Sequence, residues 1–169
     1  MLPIIVLAIQ CILSLIIFFA LAKWYLIPRI TQDNKMKMFA FLLIINIFRY
    51  LPMSLYMPGQ VATDFPEDVK AVIVYGDLLS CILALSTLYM LRMQYKTATV
   101  LGWVFSIISI TDMILALSVA MYEKVYELHL GVNYFTVVVY VPLLMIVQAL
   151  ILKILLNKNI PDAAIKTRG

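Results

Sequence analysis

Residues 2–22, LPIIVLAIQCILSLIIFFALA, contain no charged side chain, and Lys23 and Trp24 follow them directly. At 1.5 Å per residue, a helix of about 20 apolar residues crosses about 30 Å of hydrocarbon, and basic and aromatic residues mark its interface. The small residues at 20–22 also fit a signal-peptide cleavage site, but no Lys or Arg precedes the run and it exceeds an h-region of about 7–15 residues. We therefore predict a first transmembrane helix.

Four further apolar runs of similar length follow. Of all residues, 64% are hydrophobic and 13% charged, with a mean hydropathy of +1.02, whereas charged residues make up about a quarter of a soluble domain. The sequence predicts an all-α fold, a polytopic transmembrane bundle in one domain, 1–156, and a basic tail, 157–169. Its five helices are expected at about 2–26, 38–57, 70–92, 97–122 and 130–155.

The charges between the runs predict the orientation of the bundle. The loops and tail on one side carry ten Lys and Arg residues, and the two loops on the other side carry only Lys70 and Lys124 together with five acidic residues. The ten are Lys23, Arg29, Lys35, Lys37, Arg92, Lys96, Lys153, Lys158, Lys166 and Arg168. Because basic loops stay on the cytoplasmic side, we expect the N-terminus outside and the C-terminus in the cytoplasm.

Several functional classes are excluded by composition. The net charge of +4 comes from residues that flank apolar runs and face lipid headgroups, so we expect no nucleic-acid partner. Cys11 and Cys81 lie inside apolar runs, and His129 is the only histidine, with no second ligand at zinc spacing. We therefore expect no metal and no cofactor.

Four polar side chains interrupt four different apolar runs at a similar depth. Gln10, Arg49, Asp77 and Asp112 lie about six to ten residues from the outer ends of their predicted helices, or roughly 9–15 Å. A charge that faces lipid costs about 2.5–3.5 kcal/mol on insertion scales. We therefore expect these side chains to turn inward and meet in one polar layer.

The charges of this layer do not balance, because two carboxylates face one guanidinium. Either one Asp is protonated, or a cation or ligand amine supplies the missing charge. Further hydrogen-bonding groups are expected at this depth from Asn46, Tyr50, Tyr75 and Asn133. The structural alternative is that an Arg–Asp pair only fixes helix register.

Part of the sequence carries a resemblance. The string Phe48-Arg49-Tyr50 running to Pro58-Gly59, followed by Tyr75-Gly76-Asp77-Leu78, resembles a pattern in small bacterial integral membrane proteins of uncharacterised function. It covers the second and third predicted helices. The resemblance implies that Arg49 and Asp77 belong to one unit, and it implies no activity.

Three functional hypotheses follow from these observations. The first is a non-enzymatic plasma-membrane protein, in the inner membrane if bacterial, whose outward-facing polar pocket binds a small ligand, lipid headgroup or ion, with transport as an extension. The second is a scaffold subunit whose Arg–Asp network fixes packing or docks a partner helix. The third is an intramembrane enzyme with Asp77 and Asp112 as an aspartyl protease dyad, but Asp77 lies in Tyr-Gly-Asp-Leu and Asp112 in Thr-Asp-Met, so the usual glycine context of the second Asp is absent. The expected partners are the bilayer, such a ligand, and a second copy of the chain.

Overall fold

Five helices make up the protein in the computed structural model, which describes residues 3–31, 33–95 and 97–157. No strand occurs in these three ranges. All five helices are long and apolar enough to cross a membrane, which confirms the predicted number of spans and the all-α class. They are α1 (Pro3–Arg29), α2 (Lys35–Tyr56), α3 (Glu67–Arg92), α4 (Ala98–Tyr122) and α5 (Asn133–Leu156).

The predicted spans each overlap one observed helix. The first helix continues past residue 26 to Arg29, the second and third each begin three residues earlier than predicted, and α5 begins at Asn133 instead of residue 130. Gly131 precedes α5 with a φ of 54°, a conformation that favours glycine and delays the start of the helix. The predicted tail lies outside the described residues from 158 onward, as do Lys96 and residues 1 and 2.

Two helices change their winding next to the polar layer. In α2, α-helix over Lys35–Ile47 gives way to 3-10 helix over Phe48–Tyr56, with Pro52 inside. In α5, a π-helical segment, Thr136–Tyr140, precedes α-helix over Val141–Leu156. Proline lacks an N–H and clashes with the preceding turn of an α-helix, so Pro52 disfavours regular α-helix in this part of α2. Long 3-10 stretches and π segments are uncommon, and both often mark functional sites.

In the bundle, α3 packs most closely against α4 and α2, and α5 packs against both α2 and α4, while α1 lies at the periphery against α5. None of residues Pro3–Leu21 is fully buried. A peripheral helix in a bilayer is in contact with lipid over most of its surface, which agrees with the uniformly apolar sequence of α1. The functional side chains are therefore expected among α2 to α5.

The two ends of the bundle are distinct. The loops 57–66 and 123–132 meet at one end, where the Ala62 N–H donates to the His129 carbonyl at 3.0 Å. We call this the acidic end. At the other, basic end, Lys35 Nζ donates to the Asn157 carbonyl at 2.8 Å. An apolar cluster lies toward each end: Leu55, Phe65, Val69, Val74, Val125 and Leu130 at the acidic end, and Phe39, Leu42, Phe105, Ile151, Leu155 and their neighbours at the basic end.

Candidate functional site

Arg49 lies between the two apolar clusters, in the first turn of the 3-10 segment of α2, and is 2% exposed. Its Nε donates to Asp77 Oδ1 of α3 at 2.7 Å. Its Nη1 donates to Ser109 Oγ, and its Nη2 donates to Asp112 Oδ2, both of α4. These four residues form the Arg49 cluster. The structure thus brings together the three charged residues that the depth count placed in one layer, and Arg49 pairs with both carboxylates.

Gly76 makes room for the Asp112 carboxylate. A Cβ atom built on Gly76 would lie 1.7 Å from Asp112 Oδ1 and 2.7 Å from its Cγ. No side chain other than hydrogen fits at this position while α3 and α4 keep their separation. The sequence suggests a close helix approach at this glycine, as small residues allow in membranes, and the structure shows that the close neighbour is a charged side chain.

The polar network continues from the Arg49 cluster toward the basic end. Ser109 Oγ lies 3.4 Å from Gln148 Oε1 of α5, and Gln148 Nε2 donates to Ser106 Oγ. Ser106, Ser109 and Gln148 are all buried, and none was singled out from the sequence. The spacing of Ser106, Ser109 and Asp112 could have indicated that the two serines join the polar network, because residues three apart lie on the same face of a helix.

Three predicted site residues lie away from the cluster. Gln10 accepts a hydrogen bond from the Tyr134 hydroxyl and so ties α1 to α5. Tyr50 is 43% exposed and Tyr75 is 64% exposed. Both tyrosines turn outward because they neighbour Arg49 and Gly76 in sequence, and adjacent residues on a helix point in different directions. The expectation that Gln10, Tyr50 and Tyr75 join the polar layer is therefore wrong.

Two buried polar side chains of α2 and α3 have atoms with no hydrogen-bond partner among the described residues. Asn46 is 1% exposed and donates from Nδ2 to the Leu42 carbonyl one turn earlier at 3.0 Å, which leaves its Oδ1 without a partner. Ser80 Oγ is likewise without one. Since buried polar atoms are nearly always hydrogen-bonded, these two are places where ordered water fits.

Asn133 lies at the start of α5, nearer the acidic end. Its Oδ1 accepts a hydrogen bond from the Ser54 hydroxyl at 2.7 Å. Its Nδ2 is buried and has no partner within the described ranges. Ser54 follows Arg49 by five residues in 3-10 helix, so their Cα atoms lie about 10 Å apart along the axis, with Ser54 nearer the acidic end. Asn133 therefore lies closer to the acidic end than the Arg49 cluster and does not belong to it.

A cavity of about 120 Å³ occupies the space between Asn133 and the Arg49 cluster. Arg49 and Asp77 form part of its lining, together with apolar side chains of α2 to α5 such as Leu55, Ile73, Ala116 and Val137. The π segment contributes Thr136, Val137 and Tyr140, and Tyr140 donates to the Ile45 carbonyl at 2.8 Å. The cavity is therefore lined mostly by apolar side chains. Arg49 and Asp77 lie at one end, which we call its floor, and the Asn133 amide is a further polar group in the lining.

The described residues contain no group of three His, Cys, Asp or Glu side chains that could hold a metal ion. Asp77 is the only carboxylate in the cavity lining, and most of the other lining residues are apolar. Hard cations such as Ca²⁺ and Mg²⁺ take about six or more oxygen ligands, and this chamber does not offer them. The donor set therefore fits an organic molecule better than a divalent ion.

Comparison with protein families gives one match. The family model described as a domain of unknown function, DUF8737, matches residues 6–156. The chain belongs to this family. In this DUF8737 protein the matched range contains the whole of α2 to α5 and every residue of the Arg49 cluster. No significant match is found among curated proteins or among solved structures.

Proposed function

We propose that this DUF8737 protein binds a small, mostly apolar ligand in the cavity between Asn133 and the Arg49 cluster. The observation that carries the proposal is a mostly apolar cavity whose floor is formed by the buried guanidinium of Arg49 and the carboxylate of Asp77. Ligand sites are typically concave and mostly apolar, with a few placed polar groups that orient the ligand. Asp77 and Asn133 are two such polar groups in the lining of the cavity, which also contains Arg49, Thr136 and Tyr140.

The size of the cavity supports a ligand of about one ring. Protein interiors are close-packed, and large voids in them are rare and unfavourable. A chamber of about 120 Å³ is comparable to the engineered cavity of about 150 Å³ that binds benzene in another protein. Helix register alone requires only the ion pairs and not an adjacent chamber, so the cavity favours binding over a purely structural role.

We further propose that the protein is a multi-pass protein of the plasma membrane, with its acidic end and N-terminus outside and its basic end in the cytoplasm. The distribution of Lys and Arg supports this orientation. The cavity would then be on the outer side of the bilayer, with the apolar cluster around Phe105 and Ile151 closing the cytoplasmic half. Transport would need a conformational change that opens this cluster, and a second copy of the chain is a candidate partner for it.

The test is a cavity-filling substitution. Ala116 lines the cavity, whereas Ile114 on the same helix is 60% exposed. Native mass spectrometry of protein purified in an uncharged detergent is expected to show a bound small molecule in the wild type and in Ile114→Phe, and none in Ala116→Phe. Circular dichroism and thermal melting establish that both variants keep their helices. Equal retention of the small molecule by Ala116→Phe would contradict the proposal.

The scaffold hypothesis remains the second candidate, because all three guanidinium nitrogens of Arg49 have acceptors within the chain. A side chain so fully satisfied is suited to fixing helix packing. The same purification distinguishes the two hypotheses. A protein that co-purifies at fixed stoichiometry with the wild type and with Ala116→Phe favours the scaffold, and a small molecule lost only in Ala116→Phe favours the cavity.

A further inference from the structure

The Arg49 cluster contains one guanidinium group and two carboxyl groups. Within the described helices, the other charged side chains all lie near a helix end, and only Arg49, Asp77 and Asp112 lie in the middle of the bundle. The nearest of the others, Lys70 of α3, donates to Glu67 at 2.6 Å, so that pair is internally balanced. Ionised carboxylates therefore leave the cluster with one negative charge in excess.

The two carboxylates differ in their access to the cavity. Asp112 is bonded to Arg49 Nη2 and packed against Gly76, and it lines a separate open groove between α3 and α4 instead of this cavity. Asp77 lines the cavity, its side chain is 16% exposed, and Arg49 contacts only its Oδ1. Oδ2 of Asp77 accepts no hydrogen bond within the described part of the chain. The excess charge is therefore most accessible at Asp77, on the cavity floor.

Asn133 is a second and independent indication of an occupant. It lines the same cavity and is 4% exposed, and its Nδ2 has no partner among the residues that the structure describes. Ser54 already occupies its Oδ1, so reversing the amide would only exchange one unsatisfied atom for another. A buried donor without an acceptor costs about 1–3 kcal/mol. A water molecule or another acceptor in the cavity would satisfy it, whereas an ammonium group only donates hydrogen bonds.

We infer that the occupant of the cavity is a monovalent organic ammonium ion with an apolar body, whose ammonium group binds Asp77 and whose body lies among the apolar walls. This inference rests on the proposed function and names the chemical class of its ligand. An ammonium donates charge-assisted hydrogen bonds to a carboxylate, and these are stronger than neutral ones. A hydrated inorganic cation has no comparable fit to walls made of leucine, isoleucine and valine side chains.

Two probes of the same shape and different charge test this inference. Benzylammonium and benzyl alcohol share one ring of the size that the cavity accepts, and only the first carries a charge. Calorimetric titration of the full chain in uncharged micelles, corrected with protein-free micelles, gives both affinities. We expect benzylammonium to bind at least about tenfold more tightly, which corresponds to about 1.4 kcal/mol. Ala116→Phe is expected to abolish the binding of both.

Matched charge substitutions locate the ammonium group. Asp77→Asn and Asp68→Asn remove the same charge from the same helix, but Asp68 is exposed in the first turn of α3. We expect Asp77→Asn to weaken benzylammonium about tenfold or more, through loss of a charge-assisted bond. Its effect on benzyl alcohol should be smaller than its effect on benzylammonium, because the neutral alcohol loses no ion pair, and Asp68→Asn should change neither affinity. Melting temperatures control for folding, and the two-probe comparison on the wild type does not depend on any variant.

The contradicting outcomes separate the inference from the function on which it rests. If benzyl alcohol binds the wild type as tightly as benzylammonium, the cavity binds ligands without preferring a cation, and the inference is wrong while the proposed function stands. The same conclusion follows if folded Asp77→Asn binds benzylammonium unchanged. If neither probe binds the wild type, the proposed function and the inference both fail.

Discussion

Arg49 is the residue on which the interior of this bundle depends, because three side chains of α3 and α4 accept its hydrogen bonds. Removing one partner of a buried ion network leaves the other charges buried without a partner, whereas replacing the whole network with neutral side chains is often tolerated. The two kinds of substitution therefore have different expected effects on stability.

Arg49→Leu is expected to lower the free energy of unfolding by about 3–5 kcal/mol, because it leaves two carboxylates buried without a cation. The triple variant Arg49→Leu/Asp77→Asn/Asp112→Asn should recover most of this loss. Unfolding by sodium dodecyl sulfate in mixed micelles, followed by circular dichroism, measures both. A single variant as stable as the wild type, or a triple variant less stable than the single one, would contradict the network described here.

The direction of the stability change in Gly76→Ala tests whether α3 and α4 approach closely at this glycine. In an ordinary helix, replacing Gly by Ala gains about 1 kcal/mol, but here the new Cβ would meet Asp112 Oδ1. We expect Gly76→Ala to lower the melting temperature, and we expect the added effect of Asp112→Ala to be smaller in the Gly76→Ala background than in the wild type. A stabilised Gly76→Ala variant would show that α3 and α4 are not in this close contact.

At the residue scale, the sequence was sufficient to predict which charged side chains meet, because their positions along the helices were enough for this. Counting residues from the helix ends placed Arg49, Asp77 and Asp112 at one level, and the cost of charge in lipid turned them inward. Depth does not determine the direction in which a side chain points, so it wrongly grouped the outward-facing Tyr75 with them. It also missed Gln148, which lies in an apolar run and gains its role only through its neighbours Ser106 and Ser109.

At the scale of the helices, the irregular segments of α2 and α5 both contribute to the lining of the cavity. The Ile45 and Ile47 carbonyls, next to the change to 3-10 winding in α2, accept hydrogen bonds from Tyr140 and from Cys81. The positions and lengths of the five helices followed from the apolar runs. Their winding followed only in part: Pro52 disfavours regular α-helix in α2, whereas the π segment of α5 also depends on which carbonyls find partners on other helices.

Tyr140→Phe tests this link between α2 and α5. The Ile45 carbonyl would lose a buried donor, at an expected cost of about 0.5–1.5 kcal/mol in unfolding free energy. Tyr89→Phe is the matched control, because Tyr89 is 58% exposed and its change should have almost no effect. The detergent unfolding assay used for Arg49→Leu measures both variants. Equal stabilities of the two variants would show that the Tyr140 hydroxyl does not support the winding of α2.

At the scale of the whole molecule, the sequence alone indicates five spans and a direction across the bilayer. Asp64 and Asp33 are exposed in loops at the acidic and basic ends, respectively. In a background with Cys11→Ser and Cys81→Ser, Asp64→Cys is expected to react with an impermeant maleimide in intact cells. Asp33→Cys should react only after the cells are permeabilised. The reverse pattern would invert the proposed orientation and place the cavity on the cytoplasmic side.

The central claim is that the chamber between Asn133 and the Arg49 cluster binds a ligand, and a crystal structure with 4-bromobenzylammonium tests it most directly. Bromine scatters anomalously, so its position is independent of the interpretation of weak density. We predict one bromine peak inside the cavity, among the side chains of Leu55, Ala116 and Val137, with the ammonium group at Asp77. An empty cavity, or bromine only on the lipid-facing surface of the bundle, would contradict the account.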